Sequence, residues 1–87
     1  MKTIYKYQLK IADYQEIKMP CYAKILTVKL QNGIPNIWAL VDPETSSLFT
    51  RKIRMAGTGH PVEDDAEYIG TILIHSDTLV FHIFELK

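Results

Sequence analysis

The stretch YAKILTVKLQNGIPNIWALV, residues 22–41, decides the fold of this chain. Its first arm places apolar residues at every second position from 26 to 30, which is the period of a half-buried strand. Asn32-Gly33 follows, the dipeptide that best accommodates the two positive φ angles of a type I′ turn. In the second arm, residues 34–41, apolar residues occupy both odd and even positions, so both faces of the strand are apolar. This pattern is typical of a strand that is covered on both sides. The stretch therefore predicts a β-hairpin whose second arm is central in its sheet.

Apolar and polar residues also alternate in the segments before and after the hairpin. Pro20 ends a short segment that must lie at a sheet edge, because proline cannot donate to a strand ladder. Turn-forming residues occupy 42–47, and Ser76-Asp77 is predicted as a tight turn. The predicted strands are, in chain order, Thr3–Ile11, Glu16–Met19, Tyr22–Gln31, Ile34–Val41, Leu48–Ala56, Tyr68–His75 and Thr78–Leu86.

Six to seven short strands with turns at intervals of roughly 10 residues predict an all-β fold, a small antiparallel β-sandwich or barrel. Little or no helix is expected, since only Val62 to Glu67 could form a single helical turn. Residues 1–87 form one β domain, because a chain of this size cannot build a second core. The connectivity is open: the short hairpins suggest a meander, with residues 42–47 or 57–67 as candidates to cross between sheets.

The composition limits the classes of protein to which this chain can belong. Of the 87 residues, 47% are apolar and 23% are charged, which is typical of a folded globular domain. Ten basic and ten acidic side chains cancel, so no broad positive field is available for a nucleic acid backbone. No apolar run suits a signal peptide or a membrane span, and the lone Cys21 cannot form an internal disulfide. We expect a cytoplasmic protein that binds neither nucleic acid nor membrane.

The segment GTGHP, residues 57–61, is the most chemically suggestive part of the chain. Its glycines can adopt positive φ, which would let backbone N–H groups point outward as an anion nest. Pro61 restricts the preceding histidine to an extended conformation, and an arginine lies three residues upstream of the segment. The alternative is purely structural, a turn or bulge at the end of a strand. The candidate ligand-binding residues are Arg54, Gly57, Thr58, Gly59 and His60.

Neither metal binding nor catalysis is predicted. His60 and the acids of residues 63–67 lack the spacing of a calcium loop or a zinc site. The chain contains no nucleophile elbow, no cysteine–histidine signature and no glycine-rich phosphate loop. We therefore expect no catalytic residues, no cofactor and no enzymatic activity.

Three further side chains, Tyr5, Tyr7 and Arg51, are candidates for contact with a partner. Tyr5 and Tyr7 share one face of the first strand, Tyr22 is considered as a further member of this row, and tyrosines combine contact area with a polar tip. Core packing is the alternative for these tyrosines. Arg51 lies at an odd position, on the same face of its strand as the apolar residues. Because a buried unpaired charge is costly, its guanidinium must either reach solvent or pair with an acid or a ligand. Trp38, in the central strand, is expected to anchor the core.

Four segments of the chain together resemble a family of small proteins found in phages, prophages and bacterial genomes. They are MKTIYKY (1–7), MPCYAKILTVKLQNGIPNIWALVDP (19–43), RKIRMAGTGHPVEDDAEYIGT (51–71) and LVFHIFE (79–85). The landmarks of that resemblance are WALVDP (38–43) and GTGHP (57–61). The family is a domain of unknown function, so the resemblance implies a phage-associated cytoplasmic protein and assigns no substrate or site.

Two functional hypotheses follow. The first is a protein-binding module, an inhibitor or adaptor of a host protein such as one of antiviral defence, which offers an edge strand or the tyrosine face. The alternative is a binder that sequesters a nucleotide or other small anionic ligand at the Gly57–His60 loop. A homo-oligomer is compatible with both. Protein binding is favoured, because a loop-borne ligand site in so small a domain usually needs a second subunit to close it.

Overall fold

The predicted hairpin is formed by the third and fourth of seven strands in the computed structural model, which describes residues 1–87. The all-β prediction is confirmed: there is no helix, and residues 62–66 form turns and irregular structure. It follows that no helix long and apolar enough to cross a membrane is present. The strands are β1 (Thr3–Gln8), β2 (Tyr14–Pro20), β3 (Lys24–Gln31), β4 (Ile34–Val41), β5 (Leu48–Gly57), β6 (Glu67–Ile74) and β7 (Leu79–Leu86).

The strands form two antiparallel sheets. Sheet A has the order β1-β4-β3 and sheet B the order β2-β5-β7-β6, so β4 is central and β2 is an edge, as predicted. The connectivity is not a meander, because the chain changes sheets after β1, β2 and β4. Residues 42–47 make the last of these crossings, whereas residues 58–66 pass over β7 within sheet B. That connection is long because β5 and β6 are both antiparallel to β7, and parallel strands cannot be joined by a tight hairpin turn.

Local turn chemistry explains both hairpins. Asn32 and Gly33 have φ angles of 52° and 77°, the left-handed pair that a type I′ turn requires. In the second hairpin His75, Ser76 and Asp77 have φ angles of 51°, 54° and 66°, so the chain reverses through three left-handed residues without a glycine. Both tight turns were predicted from the sequence.

The core lies between the two sheets. From β4 it takes Ile37, Ala39 and Val41, while the alternate residues Trp38 and Leu40 face outward and are half-buried. The expectation that Trp38 anchors the core is therefore wrong: it lies on the outer face of sheet A, opposite Lys6 and Thr27. The core cluster consists of Leu9, Met19, Ala23, Val28, Ile37, Ala39, Val41, Ile53, Met55, Ile72, Ile74 and Ile83.

The two flanks of the sandwich differ. On one flank β3 and β6 lie side by side without forming a ladder, and Gly70 permits the close approach of Val28. On the other flank β1 and β2 have free edges and are joined through residues 9–13. The sandwich is thus closed by strand against strand along one flank and by the connection of residues 9–13, which contains the core residue Leu9, along the other.

Candidate functional site

The GTGHP corner is a β-turn at the end of β5. The amide of His60 donates to the carbonyl of Gly57 at 3.0 Å, and Gly59 has a φ angle of 90°. Positive φ at the third position of the turn alone is the pattern of a type II turn, where glycine is favoured. Gly57 does not have positive φ. The structural alternative, a turn, is what the backbone forms, and Gly59 is the residue that requires glycine.

The imidazole of His60 folds back over this turn. Its Nδ1 accepts a hydrogen bond from the amide of Gly57 at 3.3 Å. A Cβ atom at position 57 would lie 3.1 Å from Cε1 of the ring, so the missing side chain makes room for the imidazole. His60 itself is exposed to solvent.

Arg54 lies on the outer face of sheet B, on the polar parity of its strand as predicted, yet it is only 4% exposed. Its Nη1 donates to the carbonyls of Asp13 (3.2 Å) and Met55 (3.0 Å), and its Nη2 donates to that of Pro61 (2.7 Å). The guanidinium also lies over the ring of Tyr14, at 4.8 Å from the centroid. Arg54 therefore holds the loop after β5 and the connection between β1 and β2 against the sheet.

The charge of Arg54 is weakly balanced. Its nearest carboxylate is that of Asp13, at 3.8 Å from Nη1, and this side chain is 81% exposed. Its Nε is buried without a hydrogen-bond partner. A positive charge thus persists beneath the corner, although the hydrogen bonds of the guanidinium go to carbonyl oxygens of the chain itself.

A second polar group beside the corner was missed by sequence reasoning. His82 lies between two hydroxyls, with Nε2 at 2.9 Å from Oγ1 of Thr58 and Nδ1 at 3.0 Å from Oγ1 of Thr71. The hydroxyl of Tyr68 lies 2.6 Å from Thr71 and extends the network. Hydroxyls both donate and accept, so the network is satisfied whichever ring nitrogen carries the proton. It ties the corner to β6 and β7, and only the fold brings Thr58 and His82 together.

Arg51 lies on the inner face of sheet B and is paired with an acid, one of the possibilities that its parity left open. Its Nε and Nη2 contact the two carboxylate oxygens of Glu85, the latter at 2.9 Å, and its Nη1 donates to the carbonyl of Ala23 at 2.8 Å. The hydrogen bond to Glu85 raises the pKa of Arg51, against the opposing effect of burial, and the charges of Glu85 and Glu67 act in the same upward direction. The guanidinium is therefore a fixed cation in a bidentate pair.

Tyr5 and Tyr7 lie on the core-facing side of β1, the free edge of sheet A. Tyr7 packs against the core, while Tyr5 is exposed. Burial, and to a smaller extent the neighbouring Tyr5, raises the pKa of Tyr7 above its ordinary value of 10.0. Arg51 belongs to the other sheet, so the three predicted contact residues are distributed over separate parts of the sandwich.

The most exposed aromatic side chain lies where the chain passes from sheet B to sheet A. The Ala23 amide donates to the Pro20 carbonyl at 3.1 Å, which closes a turn with Tyr22 at its third position. Tyr22 is 99% exposed, and Phe49, which lines a cavity together with it, is 62% exposed. We call these two side chains the tip patch. A cavity of about 410 Å³ adjoins it and is lined by Cys21, Tyr22, Ala23, Phe49 and Arg51.

The backbone of Tyr22 is strained. Its φ angle is 67°, in the left-handed region where a bulky side chain is a genuine outlier. Glycine is the residue that this turn position favours. The sequence offered Tyr22 only as a further member of the tyrosine row and did not reveal the tip patch. The alternation of β5 placed Phe49 with the core residues, and the φ angle of Tyr22 depends on how the two sheets are joined.

Comparison with known proteins identifies the family of the chain. No curated protein and no solved structure matches it. One protein family matches, and the match extends over residues 1–87. The chain belongs to this family, which is described as a domain of unknown function (DUF7352).

Proposed function

We propose that this protein is a non-catalytic protein-binding module, phage-associated and cytoplasmic, that inhibits or recruits a host protein such as one of antiviral defence. The observation that supports this proposal most strongly is Tyr22, an aromatic side chain held fully in solvent at a backbone position that favours glycine. Local strain of this kind is concentrated at functional sites. The resemblance to phage and prophage proteins motivates the host partner.

The composition of the tip patch fits a protein partner. Tyrosine and phenylalanine are enriched at protein interfaces, where the aromatic ring is buried and a polar tip stays at the rim. Tyr22 and Phe49 are contributed by two separate segments that a backbone hydrogen bond from the Cys21 amide to the Ser47 carbonyl (2.9 Å) holds together. The patch is therefore preorganised, which lowers the entropic cost of association.

The chemistry around the patch favours recognition by shape over recognition of charge. Arg51 lines the adjoining cavity, but both carboxylate oxygens of Glu85 already occupy its guanidinium. The other lining side chains are apolar or aromatic. A partner would accordingly bury its own apolar side chain against Phe49 and Ala23, with Tyr22 closing over it.

Replacing Tyr22 with glycine separates stability from binding. Tyr22→Gly removes the side chain and the strain together, so we expect the free energy of unfolding to rise by up to about 1 kcal/mol. Partner capture from host-cell extract should fall at least tenfold, since loss of an aromatic hot spot costs about 2 kcal/mol or more. Urea unfolding and quantitative affinity capture measure the two effects.

Leu79→Ser provides the matched control. Leu79 is also an exposed apolar residue, but it begins β7 at the opposite end of the sandwich from Tyr22. This variant should capture the same proteins as the wild type. Equal capture by wild type and Tyr22→Gly, or equal losses in both variants, would refute the assignment of binding to the tip patch.

A second candidate function, sequestration of a small anionic ligand at the Gly57–His60 loop, is favoured by one observation. Arg54 carries a buried charge whose only nearby carboxylate is 3.8 Å away and exposed. A bound mono-, di- or cyclic nucleotide at 100 times its dissociation constant should add about 2.7 kcal/mol to the stability of the folded state, which a thermal-shift screen detects. No shift with any nucleotide rejects this function, and undiminished binding by His60→Ala rejects the loop as its site.

A further inference from the structure

We propose that copies of this chain associate front to back, with the outer face of sheet A of one copy against the loop that covers sheet B of the next. The contact is electrostatic in origin and differs from the tip patch. It therefore stands whether or not the proposed protein-binding function is correct.

The outer face of sheet A is basic. Lys6, Lys24 and Lys29 face outward there, opposite Trp38, Leu40 and Asn36 of the central strand. The three strands of sheet A contain no aspartate or glutamate. None of these lysines forms an ion pair within the chain. We call this surface the basic face.

The opposite side of the sandwich carries an acidic turn. Glu63, Asp64 and Asp65 are exposed, and the amide of Ala66 donates to the carbonyl of Glu63 at 3.1 Å, which closes the turn. Arg54 fixes the same loop on the outer face of sheet B through its bond to Pro61. None of the three carboxylates forms an ion pair within the chain.

The zero net charge of the chain thus conceals a basic face without carboxylates on one broad side. The other broad side is mixed: it carries the acidic turn of residues 63–65 together with Glu16, Lys18, Lys52 and Arg54 on the sheet itself. The unpaired lysines of the basic face and the unpaired carboxylates of the acidic turn are complementary between copies, and complementary charge steers association and fixes register. Each side also exposes apolar surface for close packing, through Ile4 and Ile34 on sheet A and Tyr68 on sheet B.

The broad side is large enough for a specific contact. The sandwich measures 40 × 31 × 16 Å along its principal axes, and a stable interface needs about 800 Å² per partner. Because two different surfaces meet, the association is heterologous and continues as a ring or an open stack. The tip patch lies at the end of the sandwich, so each copy in a stack would keep its Tyr22 accessible.

Sedimentation velocity of the wild-type protein tests this proposal. Charged contacts are screened over about 30 Å at 0.01 M salt and about 3 Å at 1 M. We expect association that grows with protein concentration at low salt and is abolished at high salt. A monomer at low salt across the accessible concentration range would overturn the proposal.

Charge reversal identifies the surfaces. Lys24→Glu/Lys29→Glu and Glu63→Lys/Asp65→Lys should each be monomeric, and an equimolar mixture of the two variants should associate again. The control Lys10→Glu/Lys87→Glu carries the same change in charge away from the basic face and should still bind the wild type. Association that survives both reversals, or a mixture that stays monomeric, contradicts the proposed contact.

Discussion

Gly70→Ala is expected to lower the free energy of unfolding by about 1–3 kcal/mol, the usual cost of an extra methyl group in a well-packed core. A Cβ atom at position 70 would lie 2.8 Å from Cγ1 of Val28, closer than two carbon atoms approach without displacement. Val28 is buried and β-branched, so it has no easy alternative rotamer. The strain would fall on the flank where β3 and β6 pack without a ladder.

A double-mutant cycle measured by urea unfolding distinguishes overpacking from other effects. Val28→Ala alone should destabilise the fold by about 2 kcal/mol through loss of buried methyl groups. In Gly70→Ala/Val28→Ala the new methyl occupies the vacated space, so the combined loss should be smaller than the sum of the single losses. Strictly additive losses would show that the contact with Val28 does not explain the need for glycine.

Arg51→Met should destabilise the protein by about 3 kcal/mol. Removing one partner of a largely buried ion pair leaves the other charge uncompensated. Here the residual charge is that of Glu85, which stands directly opposite Glu67 in the β6–β7 ladder, so two carboxylates would face each other without the guanidinium. The measurement is again the free energy of unfolding in urea.

The matched variant for Arg51 removes both charges. Arg51→Met/Glu85→Leu should recover much of the loss, since apolar replacements of a buried pair are often close to neutral. If the double variant were less stable than Arg51→Met alone, the uncompensated carboxylate would not be the cause. If Arg51→Met were as stable as the wild type, the pair would contribute nothing to the fold.

The parts of the fold that depend on neighbouring residues were predictable. Asn32-Gly33 fixes a hairpin by its own φ preferences, and Pro20 confines its strand to an edge. The alternation of apolar and polar residues also placed Arg51 on the inner face of its strand, so a paired guanidinium was one of the predicted alternatives. For the turn and the edge strand the physical cause lies within a few residues of the position. For Arg51 only the face was local information, because its partner Glu85 lies 34 residues further along the chain.

The parts that depend on packing between distant segments were not predictable. Trp38 lies in a strand that is apolar on both parities, so alternation could not show which side faces the core. Arg54 is buried because residues 58–66 cross over sheet B and because Asp13 and Tyr14 contact the guanidinium as well. Tyr22 was predicted to begin a strand, and its left-handed conformation follows from the passage of the chain between sheets.

Photo-crosslinking from position 22 tests the proposed protein-binding function most directly. A benzophenone side chain incorporated at this site, in solvent beside Phe49, would lie within reach of any protein bound at the tip patch. The proposal predicts a host protein crosslinked from position 22 and not from position 79. The same yield of crosslinked partner from both positions, or none from position 22, would contradict it.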